Sequence, residues 1–325
     1  METPSTDVMR IVDECMGGKL LAHDDAVRLC EIEAFTPDYY VLMYALRHLT
    51  YRASGGVAEV HGQIGMDANP CVTGNCEFCS FAVMNSARPN EKHEMPLDRI
   101  VDYAKRYREA GANCLTLMIT ADYDWDQYLS YVEAVHAAVP DLPIMGNTGD
   151  FDEVMAAELK AAGAGSVYHA IRMGEGVVTR IPLETRVKTI EAAHAVGMKV
   201  ATCNEMIRPG FTYEEIVRQL ELSASLKCEA GFAGGIVPVP GTKMYGCERY
   251  SWARGDVFAA IYRMMVGADT MPFGSGNLSW AEVGTNPRDD KNETEKDGLG
   301  TSIYQERLRF ENKEWKVPDG PSTYW

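Results

Sequence analysis

The chain has 325 residues, of which 46% are hydrophobic and 24% are charged, a balance typical of a folded globular protein. It contains 47 acidic and 31 basic residues, which gives a formal net charge of -16. An acidic surface repels the phosphates of nucleic acids, so we expect no nucleic-acid partner. No uncharged apolar stretch approaches the roughly 18 residues that a membrane helix needs, so we expect no membrane partner.

Residues 1–52 are predicted to form a helical cap that precedes the main domain. Their apolar residues recur about every three or four positions, as they do on the buried face of a helix. Val8, Val12 and Cys15 show this spacing, and two glycines follow them. The helical patterns cover residues 8–15, 24–31 and 37–49.

Between residues 53 and 285, short apolar runs alternate with amphipathic helical patterns. The runs cover residues 57–66, 114–120, 142–147, 166–172, 199–206, 231–239, 270–273 and 279–284. Because parallel neighbours need a crossover connection, this alternation predicts an α/β domain with a parallel sheet. The number of runs favours an eight-stranded (β/α) barrel of the TIM type, with an open doubly wound sheet as the alternative.

Residues 286–325 are predicted to be a C-terminal extension. They are mostly polar, and residues 288–297 are almost all charged or polar. We expect most of the extension to wrap the surface and part of it to be disordered. In such barrels the active site is built from the loops that follow the strands. The functional residues are therefore expected at the carboxyl ends of the strands.

The nine cysteines are an odd number, and the first twenty residues show no long apolar run of a secretory signal. A disulfide framework is therefore not expected, and the chain is predicted to be a cytoplasmic protein with reduced thiols. Six cysteines are scattered and are interpreted mainly as small buried hydrophobic residues. The other three lie within residues 71–79.

These three cysteines, in the sequence Cys71-Val-Thr-Gly-Asn-Cys76-Glu-Phe-Cys79, follow the first predicted strand directly. Three thiolates in so short a segment can hold one soft metal centre. A structural zinc site usually needs four protein ligands, and His61 and His93 are the nearest candidates for a fourth. A [4Fe–4S] cluster with three protein thiolates leaves one iron open to a small molecule. Both centres remain possible from the three cysteines alone.

Three cysteines after the first strand of a barrel, with the aromatic Phe78 before the third, resemble the radical S-adenosylmethionine (SAM) superfamily. The usual spacing there is Cys-x3-Cys-x2-Cys, and the first gap here is one residue longer, which a loop can absorb. The resemblance implies a [4Fe–4S] cluster on Cys71, Cys76 and Cys79, with SAM at the open iron.

The resemblance extends over residues 24–290. Within the superfamily, the order of elements is similar to that of the biotin synthase branch. In Leu183-Glu-Thr-Arg186, the arginine matches the residue that pairs with the SAM carboxylate, a role that a planar guanidinium suits. The Gly-Gly-Glu-like turn of the family is absent, and Asp122 is a possible substitute. The residues implied to contact SAM are Phe78, Asp122, Arg186, Pro238, Gly241 and Thr242.

Several polar residues fall at predicted strand ends, where a barrel interior is normally apolar. Unpaired burial of each would cost about 1–3 kcal/mol, so a bound polar ligand is one explanation and an internal network with water is the other. Arg172 and Glu205 together would suit a zwitterionic or carboxylate-bearing substrate. The predicted substrate-binding residues are His61, Gln63, Asn147, His169, Arg172, Asn204, Glu205 and, in the C-terminal extension, Arg288.

The resemblance implies a radical SAM enzyme that reductively cleaves SAM to a 5′-deoxyadenosyl radical and acts on a small-molecule substrate. It also implies an external one-electron reductant of the flavodoxin or ferredoxin type. The sequence Asn-Pro-Arg288-Asp favours a role in [Fe]-hydrogenase (iron-guanylylpyridinol) cofactor biosynthesis, with an amino-acid mutase of the methylornithine synthase type as the alternative. In the biotin synthase branch, cysteines on several barrel strands hold a second cluster that donates sulfur. Here the third predicted strand has no cysteine, and Cys203 on the fifth lies two positions past the place that the resemblance implies. Both departures argue against sulfur insertion.

Two functions of other classes are also compatible with the three cysteines. A zinc-dependent barrel hydrolase would hold a colourless metal and would not bind SAM. A non-catalytic iron–sulfur protein would transfer electrons or serve as a scaffold without consuming SAM.

Overall fold

The computed structural model describes residues 3–86, 89–272, 280–285 and 298–325. The helices are α1 Thr6–Met16, α2 His23–Leu29, α3 Pro37–Ala53, α4 Leu97–Glu109, α5 Trp125–Ala138, α6 Glu153–Ala161, α7 Leu183–Ala195, α8 Tyr213–Ser225, α9 Trp252–Met265 and α10 Gly298–Glu311. The strands are β1 Glu59–Gly65, β2 Cys114–Met118, β3 Ile144–Asn147, β4 Ala164–Tyr168, β5 Ile171–Arg172, β6 Lys199–Ile207, β7 Ala230–Gly235, β8 Met271–Pro272 and β9 Trp280–Thr285. None of these helices is long and apolar enough to cross a bilayer, within the ranges just given.

The strands form one sheet in the order β8-β7-β6-β4-β3-β2-β1-β9, and every pair described is parallel. The short strand β5 also pairs with β6, so β4 and β5 are successive pieces of one strand position. Neighbours in the sheet are therefore neighbours in the chain, and β9 returns to lie beside β1. This is the strand order of a TIM-type barrel and confirms the predicted α/β class.

The outward faces of the strands pack against the helices, and the inward faces fill the barrel. The inward side chains near the amino ends of the strands form a small apolar cluster, which we call the lower layer. Its members are Cys114, Met145, Ala201, Ala230 and Met271. Tyr324 and Trp325 pack against the lower layer, so the chain closes its own barrel from below.

Helices α1 to α3 pack against the barrel beside α8 and α9, and the predicted helical pattern is confirmed for α1. Val8, Val12 and Cys15 are all buried. The guanidinium of Arg254 on α9 donates to the Cys30 carbonyl at 2.7 Å, and Leu21 donates its N–H to the Met264 carbonyl at 2.9 Å. These bonds fix the N-terminal helices to one side of the barrel.

The end of the chain corrects the expectation of a surface wrap. Residues 312–325, which we call the C-terminal tail, cross the amino ends of the strands. The Asn113 side chain donates to the carbonyls of Pro318 at 3.1 Å and Gly320 at 2.7 Å, and the Tyr324 hydroxyl donates to the Glu229 carbonyl. The predicted disordered part, within residues 286–297, lies outside the described residues. The tail is thus part of the barrel structure.

We expect Trp315→Ala to lower the free energy of unfolding by about 3–5 kcal/mol, because this large side chain is buried. Trp315 is 3% exposed, and its ring lies 5.3 Å from that of Tyr51 and 4.1 Å from the Arg47 guanidinium. Urea unfolding followed by circular dichroism measures the change. The matched control is Trp252→Ala at a site that is 71% exposed. Equal losses in the two variants would contradict this account of the tail.

Candidate functional site

The three cysteines lie in the loop after β1, and we call residues 71–79 the cysteine loop. All three are free thiols; Cys71 is buried, and Cys76 and Cys79 are half-buried. A Cβ atom on Gly74 would lie 3.2 Å from the Cys76 sulfur and 3.4 Å from the Cys71 sulfur. Gly74 therefore lies between two thiols, and the absence of a side chain keeps the space between them open.

Burial raises the pKa of Cys76 to about 12 and also raises the pKa of Cys71. Backbone N–H groups of Gly74 and Asn75 point to the Cys71 sulfur and act in the opposite direction. Thiols of this kind become thiolates when a metal centre supplies the compensating positive charge. Cys71 and Cys76 flank the space at Gly74, and Cys79 is the third thiol of the same loop, a donor set that fits an iron–sulfur cluster with one open iron.

No three His, Cys, Asp or Glu side chains of the described part of the chain converge on a single metal ion. A zinc ion requires that convergence, because all its ligands lie about 2.0–2.3 Å from one atom. The thiolates of a [4Fe–4S] cluster bind separate irons and are spread more widely. Thiolate ligands suit both kinds of centre, so the choice of a cluster belongs to the proposed function.

Asp122, just after β2, anchors the first half of the cysteine loop. Its carboxylate accepts hydrogen bonds from the N–H groups of Val72 and Thr73, the latter at 3.0 Å, and from the Thr73 hydroxyl. Burial raises the pKa of Asp122, but these hydrogen bonds outweigh it, and the pKa lies below its ordinary value. This contact, which the sequence did not predict, holds the residues between Cys71 and Cys76, where the spacing is one residue longer than usual.

Asn85 anchors the second half of the cysteine loop. Its side-chain amide donates to the carbonyls of Cys76 at 3.2 Å and Cys79 at 2.9 Å, and its oxygen accepts the N–H of Lys243 at 3.0 Å. One side chain thus connects the loop to the segment that follows β7. The sequence gave no signal for this role, because Asn85 lies outside the cysteine pattern.

The segment after β7 brings three of the residues predicted to contact SAM beside the cysteine loop. Thr242 is buried, and its hydroxyl donates to the Val239 carbonyl at 2.7 Å. Gly241 has φ of 83°, a left-handed conformation that glycine adopts without strain. Pro238 is half-buried on the same turn. The segment that holds Pro238, Gly241 and Thr242 is joined to the cysteine loop by the N–H of Met244, which donates to the Glu77 carbonyl at 3.3 Å. That these three residues contact SAM stays a prediction.

Five charged side chains form a continuous network from the end of β3 to the barrel interior, and we call it the charge ladder. In order they are Asp150, Arg186, Glu175, Arg172 and Glu205. Successive N···O distances along the ladder are 3.1, 3.3, 3.6 and 2.9 Å. Buried charges are tolerated only when they are paired, and each member of the ladder has at least one partner of opposite sign.

The ladder connects the cysteine loop with two of the predicted substrate residues. The Arg172 guanidinium lies 5.6 Å from the centre of the Phe78 ring, inside the loop, and bonds Glu205 on β6 at 2.9 Å. Arg186 lies in the ladder, where Asp150 and Glu175 hold its Nη1 and Nε, and its pairing with the SAM carboxylate stays a prediction. The structure thus brings Phe78, Arg172, Arg186 and Glu205 together.

His169 lies behind the ladder on the outward side. Its Nε2 donates to Asp150 at 3.1 Å, and its ring lies 6.2 Å from that of Phe151. Burial lowers the pKa of His169, which keeps the imidazole neutral. Burial raises the pKa of Asp150, but the His169 bond and the Arg186 charge outweigh it and hold that pKa below its ordinary value. His169 therefore holds Asp150, the carboxylate that pairs with Arg186.

Two predicted substrate residues do not lie at the mouth of the barrel. His61 is at the lower end of the interior, where its Nε2 lies 2.8 Å from Glu59 and its ring 6.3 Å from that of Trp325. Asn204 points outward, and its amide donates to the Ser223 hydroxyl of α8 at 3.0 Å. The sequence predicted both residues at the mouth. His61 faces inward but lies at the closed end, and Asn204 lies on the outward face of β6.

Gln63 and Asn147 lie on inward-facing positions by strand alternation. Gln63 is two residues beyond His61 on β1 and is half-buried, and Asn147 is two residues beyond Met145 of the lower layer. Both are therefore above the lower layer, on the side of the cysteine loop. Arg288, also predicted to bind substrate, lies outside the described residues.

Known sequences resemble the part of the chain that contains the cysteine loop and the barrel strands after it. The sequence model of the Radical SAM superfamily matches residues 71–222, which begin at the first cysteine of the loop. Biotin synthase from Chlorobaculum parvum is 25% identical over 262 residues, 77% of this chain and 77% of that protein. Biotin synthase from Chlorobaculum tepidum is 24% identical over 257 residues, 74% of this chain and 76% of that protein.

Comparison with solved structures confirms the barrel. The crystal structure of methylornithine synthase (PylB) superposes with a TM-score of 0.79 at 18% identity, over 95% of this chain and 97% of that one. The structure of the FeFe-hydrogenase maturase HydG from Carboxydothermus hydrogenoformans gives a TM-score of 0.69 at 16% identity, over 86% of this chain and 70% of that one. At these identities the likeness concerns the fold.

We expect Asp122→Ala to lower the affinity of the cysteine loop for its metal centre by about tenfold or more, as loss of outer-shell support does. Reconstitution with iron and sulfide, followed by iron and sulfide analysis and visible absorption, measures it. The control is Asp126→Ala, at an exposed position in the first turn of α5. Equal retention of iron and sulfide by both variants would contradict the anchoring role.

Proposed function

We propose that this chain, a radical SAM enzyme similar to biotin synthase, holds its [4Fe–4S] cluster through Cys71, Cys76 and Cys79 and acts on a small polar substrate inside the barrel. When bound, the cluster and SAM supply one-electron cleavage of SAM and a 5′-deoxyadenosyl radical for hydrogen abstraction. The electron would come from an external flavodoxin-like or ferredoxin-like reductant. The observation that carries the proposal is the open space around Gly74 between the thiols of the anchored loop.

The chain's own contribution is placement and exclusion of water. The lower layer and the C-terminal tail close the barrel from below, so a substrate would enter from the side of the cysteine loop. A closed, apolar floor keeps water away from a reactive species held above it. Asp122 and Asn85 fix the loop, so that the reacting groups meet in one orientation.

Arg186 is the proposed partner of the SAM carboxylate. Its Nε and Nη1 are held by two carboxylates, which orients the guanidinium before a ligand arrives. Nη2 is then the nitrogen left to bind a carboxylate, since a guanidinium has five N–H donors in a fixed fork. Phe78, Pro238, Gly241 and Thr242 are proposed to contact the rest of SAM from the loop and from the turn after β7.

The substrate is proposed to be a small zwitterion of the amino-acid type. Arg172 and Glu205 lie at the inner end of the charge ladder and offer both signs of charge. The methylornithine synthase likeness extends over nearly the whole chain, which supports an amino-acid rearrangement. The alternative, a role in [Fe]-hydrogenase cofactor biosynthesis, rests on Arg288, outside the described residues.

We expect the wild-type protein, reconstituted anaerobically and reduced in the presence of SAM, to form 5′-deoxyadenosine, and Cys76→Ala to lose this product. The reason is that two thiolates cannot hold the cluster as three do. Chromatography of the nucleoside measures it, with Cys15→Ala on α1 as control. Tightly bound zinc without a cluster would instead indicate the hydrolase. A cluster whose reduction never consumes SAM would indicate the electron-transfer protein.

We expect Arg186→Lys to weaken SAM binding by about tenfold or more, because lysine keeps the charge but loses the guanidinium fork. Anaerobic equilibrium dialysis with the reconstituted protein measures the dissociation constant. Arg218→Lys is the matched control, on a side chain that is 71% exposed on α8. Unchanged SAM affinity in Arg186→Lys would remove this residue from the SAM site.

A further inference from the structure

Strand β6 carries a bulge beside the charge ladder. Its register against β7 shifts between Asn204 and Ile207, and Met206 has φ of 71°. A non-glycine residue in this left-handed region costs on the order of 1–3 kcal/mol, and such strain persists where the surrounding structure requires it. Bulges next to active sites commonly re-aim a side chain.

The bulge follows Glu205, an inward-facing residue of β6. Met206 and Ile207 are both buried, in an apolar cluster that also contains residues of α8 and α9. In an unbroken strand Ile207 would be the next side chain to point inward, and the bulge interrupts that alternation. Glu205 faces the upper interior space just below the bulge, where it pairs in register with Arg172 on β5.

Glu205 retains acceptor capacity towards this space. Its Oε1 accepts the Tyr168 hydroxyl at 2.7 Å and its Oε2 accepts Arg172 Nε at 2.9 Å. A carboxylate offers about four lone-pair positions, so two such bonds leave room for further donors. The side chain of Glu205 is 36% exposed, whereas that of Glu175 in the same ladder is 1% exposed.

The charges of the ladder do not cancel. It contains three carboxylates, Asp150, Glu175 and Glu205, and only two guanidiniums, Arg172 and Arg186. Two neighbours, His169 and Tyr168, add no charge to the ladder, since burial lowers the pKa of His169 and raises the pKa of Tyr168. One negative charge remains, and Glu205 is the ladder carboxylate that is open to the interior.

Apart from Arg172, which bonds its Oε2, the residues named here around Glu205 are apolar or neutral. Cys203 lies two residues below it on β6, opposite Phe232 of β7, and burial raises the pKa of that thiol well above its ordinary value. Met145 and Ala201 of the lower layer form the floor. A ligand that fits this space has a short apolar body and one end that donates hydrogen bonds to a carboxylate.

We propose that Glu205 is the specificity-determining residue of the substrate site and binds a protonated primary amine of the substrate through charge-assisted hydrogen bonds. This assignment rests on the proposed function, because it takes the barrel interior as the substrate site. The assignment of Glu205 extends the proposed function by naming the class of substrate. This is a small aliphatic amine or amino acid whose ammonium group points to β6. Tyr168 and Arg172 act as positioning residues, since they orient the two oxygens of Glu205.

The test uses ligand-observed NMR titrations under anaerobic conditions, with the reconstituted protein and SAM present. The probes are two pairs matched in length: butylamine with butanol, and β-alanine with butyrate. In the wild-type protein the amine of each pair is expected to bind more tightly. Glu205→Gln, which keeps the shape and removes the charge, is expected to raise the dissociation constant of each amine by about tenfold or more. The binding of the amine-free partners is expected to stay unchanged.

Glu184→Gln, at an exposed position on α7, is the matched control and is expected to leave all four affinities unchanged. Glu205→Asp, which retains the charge, is expected to keep the preference for amines. If Glu205→Gln does not fold, Tyr168→Phe, which removes only the hydroxyl that orients Oε1, is expected to weaken amine binding by a smaller factor. An unchanged amine affinity in that variant would count against the proposal.

Three outcomes would overturn the assignment: no binding of either amine to the wild-type protein, equal binding of amines and amine-free partners, or weaker SAM binding in Glu205→Gln with no effect on amines. The last would assign Glu205 to the SAM site. Formation of 5′-deoxyadenosine by the wild-type protein is measured separately. Its absence would overturn the proposed function, whereas the amine preference tests Glu205 alone.

Discussion

The three thiols of the cysteine loop must face one open space at the carboxyl ends of the strands, and the rest of the site depends on this constraint. The loop has no regular secondary structure that could fix the thiols, so its shape comes from side chains of other segments. Asp122 after β2 holds the N–H groups of Val72 and Thr73, and Asn85 holds the carbonyls of the second half. A parallel barrel makes this possible, because it brings the ends of all its strands to one face.

The charge ladder extends this constraint into the interior. A buried guanidinium needs acceptors, and in the ladder these are carboxylates: Asp150 and Glu175 for Arg186, Glu175 and Glu205 for Arg172. The ladder therefore fixes the predicted SAM ligand and the inner carboxylate relative to each other. The bulge at Met206 interrupts the alternation of β6 just after Glu205, whose side chain stays partly exposed.

The opposite end of the barrel, at the amino ends of the strands, is closed by side chains. The lower layer fills the interior with apolar side chains, and Tyr324 and Trp325 pack beneath it. The buried Glu59 carboxyl at this end pairs with His61 and accepts the Ser322 hydroxyl. A buried polar group without a partner costs about 1–3 kcal/mol, so this pairing explains why the tail contributes a serine as well as two aromatic side chains.

The sequence by itself determined the alternation of strands and helices, the α/β class and the three-cysteine motif, because period and spacing are local properties of the chain. It also selected Arg172 and Glu205, since charged residues within apolar strand ends require partners. Arg186 was selected by the resemblance of residues 183–186 to a family pattern. Only the tertiary structure decided which face each side chain occupies. His61 lies at the closed end, Asn204 faces α8 and Asp122 anchors the loop, because strand register, a bulge and contacts distant in sequence set these directions.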